Sequence, residues 1–163
     1  PWYYEMTQLG FNYRLTDIQS ALGLSQLSRL DDNFRLRKKI ANYYDKYLEN
    51  EELIKPLQIL NRQNNAHHLY PLVIEFDKIE LSRGELMLRL KDKGIGTQVH
   101  YIPVHMQPFY QKRFDPEDKL ILPGAEKYYK HTLSIPCFPD LTQEQTSFVM
   151  KTVCEIINGS RKA

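Results

Sequence analysis

The stretch GFNYRLTDIQSALGL, residues 10–24, combines a helix start with a candidate anion site. Thr16 is followed three residues later by Gln19, the spacing of a capping box, which predicts a helix beginning at the residue after the threonine. Asn12 and Arg14 precede this cap, where free backbone amides and the helix dipole favour a phosphate or a carboxylate. A plainer interpretation is that Asn12 makes a turn and Arg14 lies across apolar surface, and the spacing alone favours it.

Apolar residues recur at three- and four-residue steps across residues 16–49, which indicates a long helical segment. Asp31 and Asp32 interrupt the pattern, so the segment is either one helix or two helices with a kink near Asp31. Leu27 falls on the apolar face, and we expect it in the core. The basic residues between the apolar positions are expected to form a solvated face: Arg35, Arg37, Lys38 and Lys39.

Residues 66–163 are expected to form a sheet with helices, after a connector at residues 49–65. Residues 68–76 indicate a strand, in which Pro71 argues for an edge position or a bulge. Residues 96–101 alternate in side-chain character and predict another strand. One face of that strand is polar enough to serve a binding site.

Two further capping boxes start helices in this part of the chain. Ser82 with Glu85 predicts one helix, and Thr142 with Gln145 predicts the last one. Ile156 is expected to face the core from that last helix. The order of strand, helix and strand along the chain would ordinarily suggest a parallel crossover.

Length and charge limit the classes of protein to which the chain can belong. Its 163 residues suffice for one ordinary domain and are too few for two. The net charge of +2 disfavours nucleic acid as a partner, because a phosphate-backbone binder needs a concentrated basic face. Two cysteines without metal spacing or a disulfide framework indicate packing roles in a reducing cytoplasm. We expect no membrane segment, because no apolar run approaches the roughly 20 residues that a span needs.

Four stretches together resemble one enzyme family. They are GFNYRLTDIQSALGLSQLSRLD, HHLYPLVIEF, GIGTQVHYIPVHMQPFY and LSIPCFPDLTQEQ, which follow one another along nearly the whole chain. Their wording and order resemble the DegT-type aminotransferases, fold-type I pyridoxal phosphate enzymes that act on nucleotide-linked keto sugars. The resemblance implies an α/β fold (an α+β sandwich) with a small, mostly antiparallel sheet backed by helices, as in the C-terminal small domain of these aminotransferases.

The resemblance also implies roles for individual residues. In this family the asparagine of the G-x-N-Y-R motif reaches the cofactor phosphate of the neighbouring subunit, which implies that role for Asn12 and a dimer- and cofactor-facing position for residues 1–15. The implied substrate contacts are Arg14, His100, Tyr101 and His105. We expect no metal site from His100 and His105, because no carboxylate or third histidine has suitable local spacing.

The function that the resemblance implies is amino transfer to a nucleotide-linked keto sugar, for the amino sugars of cell-surface polysaccharides or glycans. Glutamate is the expected amino donor and pyridoxal phosphate the cofactor. The chain begins at proline and lacks the family's lysine-bearing motif, so we expect residues 1–163 to be the C-terminal part of a cytoplasmic homodimeric enzyme. The missing N-terminal domain would hold most of the cofactor and the Schiff-base lysine. The chain alone would then be inactive.

Two alternatives stay open. The family also contains sugar dehydratases in which histidine replaces the lysine, and that position lies outside this sequence. A non-catalytic interaction or regulatory module could also have kept the fold. The upstream residue, whether lysine, histidine or neither, would decide among the three.

Overall fold

The computed structural model describes residues 3, 5–11, 13–113 and 121–162. The chain divides into two compact units, Pro1–Asp32 and Asn33–Ala163. The helices are α1 (Asp17–Leu27), α2 (Leu30–Tyr47), α3 (Arg83–Asp92), α4 (Pro108–Gln111), α5 (Pro123–His131) and α6 (Gln143–Asn158). The strands are β1 (Ile54–Pro56), β2 (Tyr70–Ile74) and β3 (Thr132–Ile135). Single 3-10 turns occur at Arg62–Asn64, Phe76–Lys78 and Val104–Met106.

Helix α1 begins where the sequence predicts. Thr16 Oγ1 accepts a hydrogen bond from Gln19 N at 3.3 Å, and Thr16 N donates to Gln19 Oε1 at 2.9 Å, which completes the capping box. The helix ends at Leu27 and α2 starts at Leu30. The alternative of two helices is therefore confirmed, with the break at residues 28–29.

Leu27 is not a core residue, and the prediction for this position is wrong. Its side chain is 63% exposed, and α1 buries none of its residues. Ile18 and Leu22 on the same helix are exposed as well. A periodic pattern identifies an apolar face, but it does not show whether another element covers that face.

The sheet has the strand order β1–β2–β3, and both strand pairs are antiparallel. Ile54 is paired with Ile74 in the first pair, and Tyr70 with Ile135 in the second. The small antiparallel sheet that the resemblance implies is thus confirmed. Strand β1 lies within residues 49–65, which the sequence pattern assigns to a connector. That assignment is wrong for the 3 residues of β1, because so short a strand leaves no readable alternation.

Pro71 lies in the central strand β2, so its predicted edge position is wrong. Its carbonyl accepts a hydrogen bond from Leu57 N at 3.2 Å. Because the N–H and C=O of one strand residue point the same way, the donor that proline lacks would have met the carbonyl of Leu57. Arg62 Nη1 lies 3.4 Å from that carbonyl and donates to it instead. A side chain therefore replaces the missing ladder bond.

The strand predicted at residues 96–101 is reduced to one bridge. Gln98 and Ser134 exchange two backbone bonds, with N···O distances of 3.1 and 2.8 Å. The Val99 amide donates to Gln98 Oε1 at 2.9 Å, so a side chain accepts the bond that would otherwise be available to a neighbouring strand. The segment follows β3 for this one pair of residues and then leaves it.

Three helices contribute to the core with the strands. The other two predicted capping boxes are confirmed, with Ser82 at the start of α3 and Thr142 at the start of α6. Ile156 is partly buried and packs against the core, in the predicted direction. The most deeply buried members include Ala41, Tyr44, Leu72, Ile74, Leu86, Leu90, Met150, Val153 and Ile157. Within the described residues, no helix has the length and apolar character needed to cross a membrane.

Both cysteines are free and buried. Burial raises the pKa of the Cys137 thiol to about 11, although the nearby Arg37 guanidinium acts in the opposite direction. Burial likewise raises the pKa of Cys154 to about 12, and the negative charge of Glu51 adds to the shift. Both thiols are therefore protonated at neutral pH.

A pair of leucines on α3 tests the core assignment. Leu90→Ala should lower the free energy of unfolding by about 2 to 5 kcal/mol, because the side chain is 0% exposed and its removal leaves a cavity. Leu88→Ala is the matched control, because Leu88 is 61% exposed and its loss should cost less than about 0.5 kcal/mol. Urea denaturation of the purified variants measures both values. Equal losses would contradict the orientation of α3.

The buried thiols predict a loss of stability in alkali. A raised pKa in the folded state means that the folded protein keeps protons that the unfolded chain has lost. The free energy of unfolding should therefore fall as the pH rises from about 9, the ordinary pKa of a thiol, toward about 12, the raised pKa of Cys154. Urea denaturation at several pH values should show this fall, with a shallower slope for Cys154→Ala than for wild type. An unchanged slope would show that Cys154 does not contribute.

Candidate functional site

A recess of about 300 Å³ opens where β3 meets the segment after α3. Its walls come from three segments: residues 68–69, residues 96–100 and residues 134–137. We call it the edge recess. It lies within the unit Asn33–Ala163, on the sheet and its adjoining loops.

The turn that ends α3 places residues 96–100 along the edge recess. Gly94 has a φ of 77°, a left-handed conformation that favours glycine. Its N–H donates to Lys91 O at 2.8 Å, and Ile95 N donates to Leu90 O at 2.9 Å. Ile95 is buried, so the segment after the turn starts from a packed residue.

His100 is oriented by a buried serine on β3. His100 Nδ1 lies 2.9 Å from Ser134 Oγ, and Ser134 is only 6% exposed. The Tyr101 ring packs edge-on against the His100 ring, with 4.8 Å between the centroids. Tyr101 itself is 71% exposed. Of the predicted substrate contacts, His100 thus lines the recess and Tyr101 stands exposed beside it.

The other predicted site residues have different surroundings. His105 lies in the turn Val104–Met106, where its Nε2 is 3.1 Å from Glu126 Oε1 on α5 and its side chain is 7% exposed. Arg14 is exposed in the unit Pro1–Asp32. Asn12, the predicted cofactor contact, lies outside the described residues.

The edge recess offers neutral hydrogen-bonding groups. Thr97, Gln98, His100 and Ser134 contribute hydroxyl, amide and imidazole groups. None of the described residues that line it is lysine, arginine, aspartate or glutamate. Hydroxyl and amide groups of a ligand suit such a surface, whereas a phosphate would be expected beside cationic donors.

Arg37 on α2 donates hydrogen bonds to backbone carbonyls in two walls of the edge recess. Its Nη1 donates to the carbonyl oxygens of His68 at 3.1 Å, His67 at 3.4 Å and Cys137. The assignment of Arg37 to a solvated face is therefore wrong, because its guanidinium is turned toward loop carbonyls that need donors. Tyr44 adds a second contact from the same helix.

The Tyr44 hydroxyl donates to Pro136 O at 2.9 Å. Tyr44 is fully buried, and burial raises its pKa far above the ordinary value, so the hydroxyl stays a donor. Helix α2 thus bonds to the segment 134–137 through two side chains, one charged and one neutral.

Neither Ser134 nor Arg37 is predicted as a site residue from the sequence. A serine between apolar neighbours in the short strand Thr132–Ile135 is a signal that could have been used, since a buried hydroxyl needs a partner. Arg37 carries a signal as well, because it falls at the three- and four-residue steps of Ala41 and Tyr44, on the apolar face of α2. The loops that accept its hydrogen bonds are visible only in the fold.

The resemblance implies pyridoxal phosphate, and the described residues by themselves do not fit that cofactor. It requires a lysine amine, a carboxylate at the ring nitrogen and donors around the phosphate. Every lysine that the structure describes is exposed except Lys38, which is half-buried on α2 with its Nζ 5.8 Å from the Phe34 ring centroid. The described lining of the edge recess supplies neither a lysine nor a carboxylate.

Comparisons with known proteins agree with the observed fold and identify a family. Residues 2–154 match the DegT/DnrJ/EryC1/StrS aminotransferase family. The chain is 39% identical over 161 residues to the spore coat polysaccharide biosynthesis protein SpsC of Bacillus subtilis, covering 98% of this chain and 41% of that protein. It is 37% identical over 161 residues to the UDP-4-amino-4,6-dideoxy-N-acetyl-beta-L-altrosamine transaminase of Campylobacter jejuni, covering 99% and 42%.

A solved structure gives the same result. PseC of Helicobacter pylori, an aminotransferase involved in the biosynthesis of pseudoaminic acid, superposes with a TM-score of 0.81 at 28% identity, covering 97% of this chain and 42% of that one. The chain spans about two fifths of the length of the curated relatives that it matches. The match over 2–154 and these identities establish that the chain belongs to the DegT/DnrJ/EryC1/StrS aminotransferase family.

Proposed function

We propose that residues 1–163 form the C-terminal part of a pyridoxal phosphate-dependent aminotransferase that converts a nucleotide-linked keto sugar to an amino sugar. Glutamate is the proposed amino donor, and the product would enter cell-surface polysaccharides or glycans. The observation that carries the proposal is the edge recess, a neutral hydrogen-bonding surface in a chain that belongs to an aminotransferase family. The relatives named for UDP-linked and polysaccharide sugars support the substrate class.

We assign the edge recess to the uncharged part of this substrate. Sugar hydroxyls and an acetamido group can both donate and accept hydrogen bonds, as can the side chains of Thr97, Gln98 and His100. Because Ser134 engages Nδ1 of His100, we assign Nε2 of that ring to the substrate. The diphosphate would lie outside this recess, and Arg14 stays a predicted substrate contact.

The loop after His100 would form the outer side of the pocket. Tyr101 is exposed and stays a predicted substrate contact. His105 stays a predicted substrate contact. Its pairing with Glu126 on α5 also supports the loop, since a histidine bonded to a carboxylate keeps a defined orientation.

Pyridoxal phosphate is the cofactor of this family. When bound, it supplies the electron sink that amino transfer needs. Since the described residues do not fit it, we propose that most of its ligands lie in a preceding domain and that Asn12 of one subunit reaches its phosphate in the other. A homodimer with shared sites follows from this arrangement. Two free, buried cysteines support a cytoplasmic location.

The edge recess can be filled by one substitution. A Cβ atom added at Gly96 would meet no atom within 4 Å, and Gly96 lines the recess, so we expect Gly96→Leu to fold and to reduce the space in the recess. In the full-length enzyme we expect kcat/KM for the keto sugar nucleotide to fall at least about tenfold, equivalent to roughly 1.4 kcal/mol. Steady-state assays with glutamate as donor measure this.

The matched control is Gly124→Leu on α5. A Cβ atom added there also meets no atom within 4 Å, and Gly124 is not among the lining residues of the edge recess. This variant should retain wild-type kinetics and melting temperature. If Gly96→Leu also retains full efficiency, the recess is not the sugar site.

The 163-residue chain by itself should not transfer amino groups. We would incubate it with pyridoxal phosphate, reduce with borohydride, and map the modified lysines by mass spectrometry while assaying transfer from glutamate. Labelling should be scattered among exposed lysines and turnover absent, because a single phosphate contact of about 1 to 3 kcal/mol retains no cofactor at useful concentration. The full-length protein, as control, should give one modified lysine.

One stoichiometric lysine adduct with turnover in the isolated chain would overturn this expectation. A full-length protein that gives neither an adduct nor amino transfer would favour the dehydratase or the non-catalytic module instead.

A further inference from the structure

The guanidinium of Arg37 joins two loops that are far apart in sequence. From α2 it donates to the carbonyls of His67 and His68, and also to that of Cys137. These acceptors are separated from Arg37 by 30, 31 and 100 residues. Arg37 therefore joins the two loops beside two other contacts, the ladder pair of Tyr70 and Ile135 and the bond from the Cys137 thiol to the His67 carbonyl.

Both loops are walls of the edge recess. His68 and Cys137 line it on the sides that carry the Arg37 acceptors. The third wall is attached differently, through the two backbone bonds between Gln98 and Ser134. A change at Arg37 would thus alter the spacing of two walls and leave the attachment of the third intact.

We propose that Arg37 is a positioning residue that sets the width of the edge recess and thereby the efficiency with which the keto sugar is used. Arg37 is not among the residues that line the recess, so it acts through the carbonyls of His68 and Cys137. The inference rests on the proposed function, because it takes the recess as the sugar site. All three carbonyls accept from Nη1, and a hydrogen bond from a charged donor is stronger than one from a neutral donor.

A purely stabilising role makes a different prediction. Amino transfer proceeds in two half-reactions, one with glutamate and one with the keto sugar, so each substrate has its own kcat/KM. A variant that merely loses folded enzyme lowers both values by the same factor. A variant in which a wall of the edge recess has moved lowers kcat/KM for the keto sugar and leaves kcat/KM for glutamate unchanged.

The test uses the full-length enzyme with Arg37→Lys and Arg37→Met. For Arg37→Met we expect kcat/KM for the keto sugar nucleotide to fall about ten- to hundredfold, the scale on which small misplacements act. The value for glutamate should stay within about twofold of wild type. Arg37→Lys keeps a cationic donor and should lie between Arg37→Met and wild type.

Arg83→Met is the matched control. Arg83 on α3 also donates to backbone carbonyls, those of Tyr129 and Thr132, and is not among the residues lining the edge recess. It should lower the melting temperature without changing the ratio of the two efficiencies. If the Arg37 variants behave in the same way, or fail to fold, Arg37 is a stabilising residue and the inference is wrong.

Measurements on wild-type enzyme distinguish a wrong inference about Arg37 from a wrong proposed function. If wild type transfers amino groups and the Arg37 variants lose both kcat/KM values by the same factor, the inference is wrong and the proposed function stands. If wild type neither transfers an amino group to a keto sugar nucleotide nor binds one in calorimetry, the proposed function fails and the inference fails with it.

Discussion

Backbone carbonyls beside a short sheet need donors, and α2 supplies them. With strands of 3, 5 and 4 residues, much of the chain around the core is loop, whose polar groups cannot all be paired within a ladder. Arg37 and Tyr44 donate to loop carbonyls, while the apolar residues of the same helix pack into the core. Among the described residues, no buried side-chain nitrogen or oxygen lacks a partner. The loops are therefore held by specific bonds as well as by apolar contact.

A second polar contact on α2 acts in the same way. Asp45 accepts bonds from Arg62 Nε at 2.7 Å and from the Tyr70 hydroxyl at 2.5 Å. Burial, reinforced by the Asp45 carboxylate, raises the pKa of Tyr70 far above its ordinary value. Arg62 in turn donates to the carbonyl that Pro71 leaves without a ladder partner. Helix α2, the loop before β2 and the central strand are thus one bonded assembly.

The described lining of the edge recess consists of neutral groups. Arg37, the charged side chain that bonds to its walls, is directed at backbone carbonyls. Such a surface distinguishes ligands by the placement of hydroxyl and amide groups, which suits sugars that differ at one carbon. The substrate class that we propose for this recess rests on the family match together with the neutral lining.

Local interactions were predictable where both partners are close in sequence. Each capping box joins residues three apart, so Thr16 with Gln19, and Ser82 and Thr142 with their partners, could be identified without a fold. The resemblance added the antiparallel sheet, because a motif carries information about a fold that a single pattern lacks.

Contacts over long sequence distances depended on the tertiary structure. Helical spacing places Arg37, unlike Arg35, on the apolar face of α2, but the carbonyls that bind Arg37 belong to loops up to 100 residues away and are not visible in the sequence. Leu27 lies on an apolar face, and its exposure depends on what covers that face. The segment at Gln98 pairs with β3 at one position only, and the alternation of residues 96–101 does not show where that pairing stops. The sequence by itself determined where three helices begin and which family the chain resembles, because these rest on neighbouring residues and on motifs. The walls of the recess and the side chains that support them were decided by the fold, which alone brings α2, β3 and the loop after α3 together.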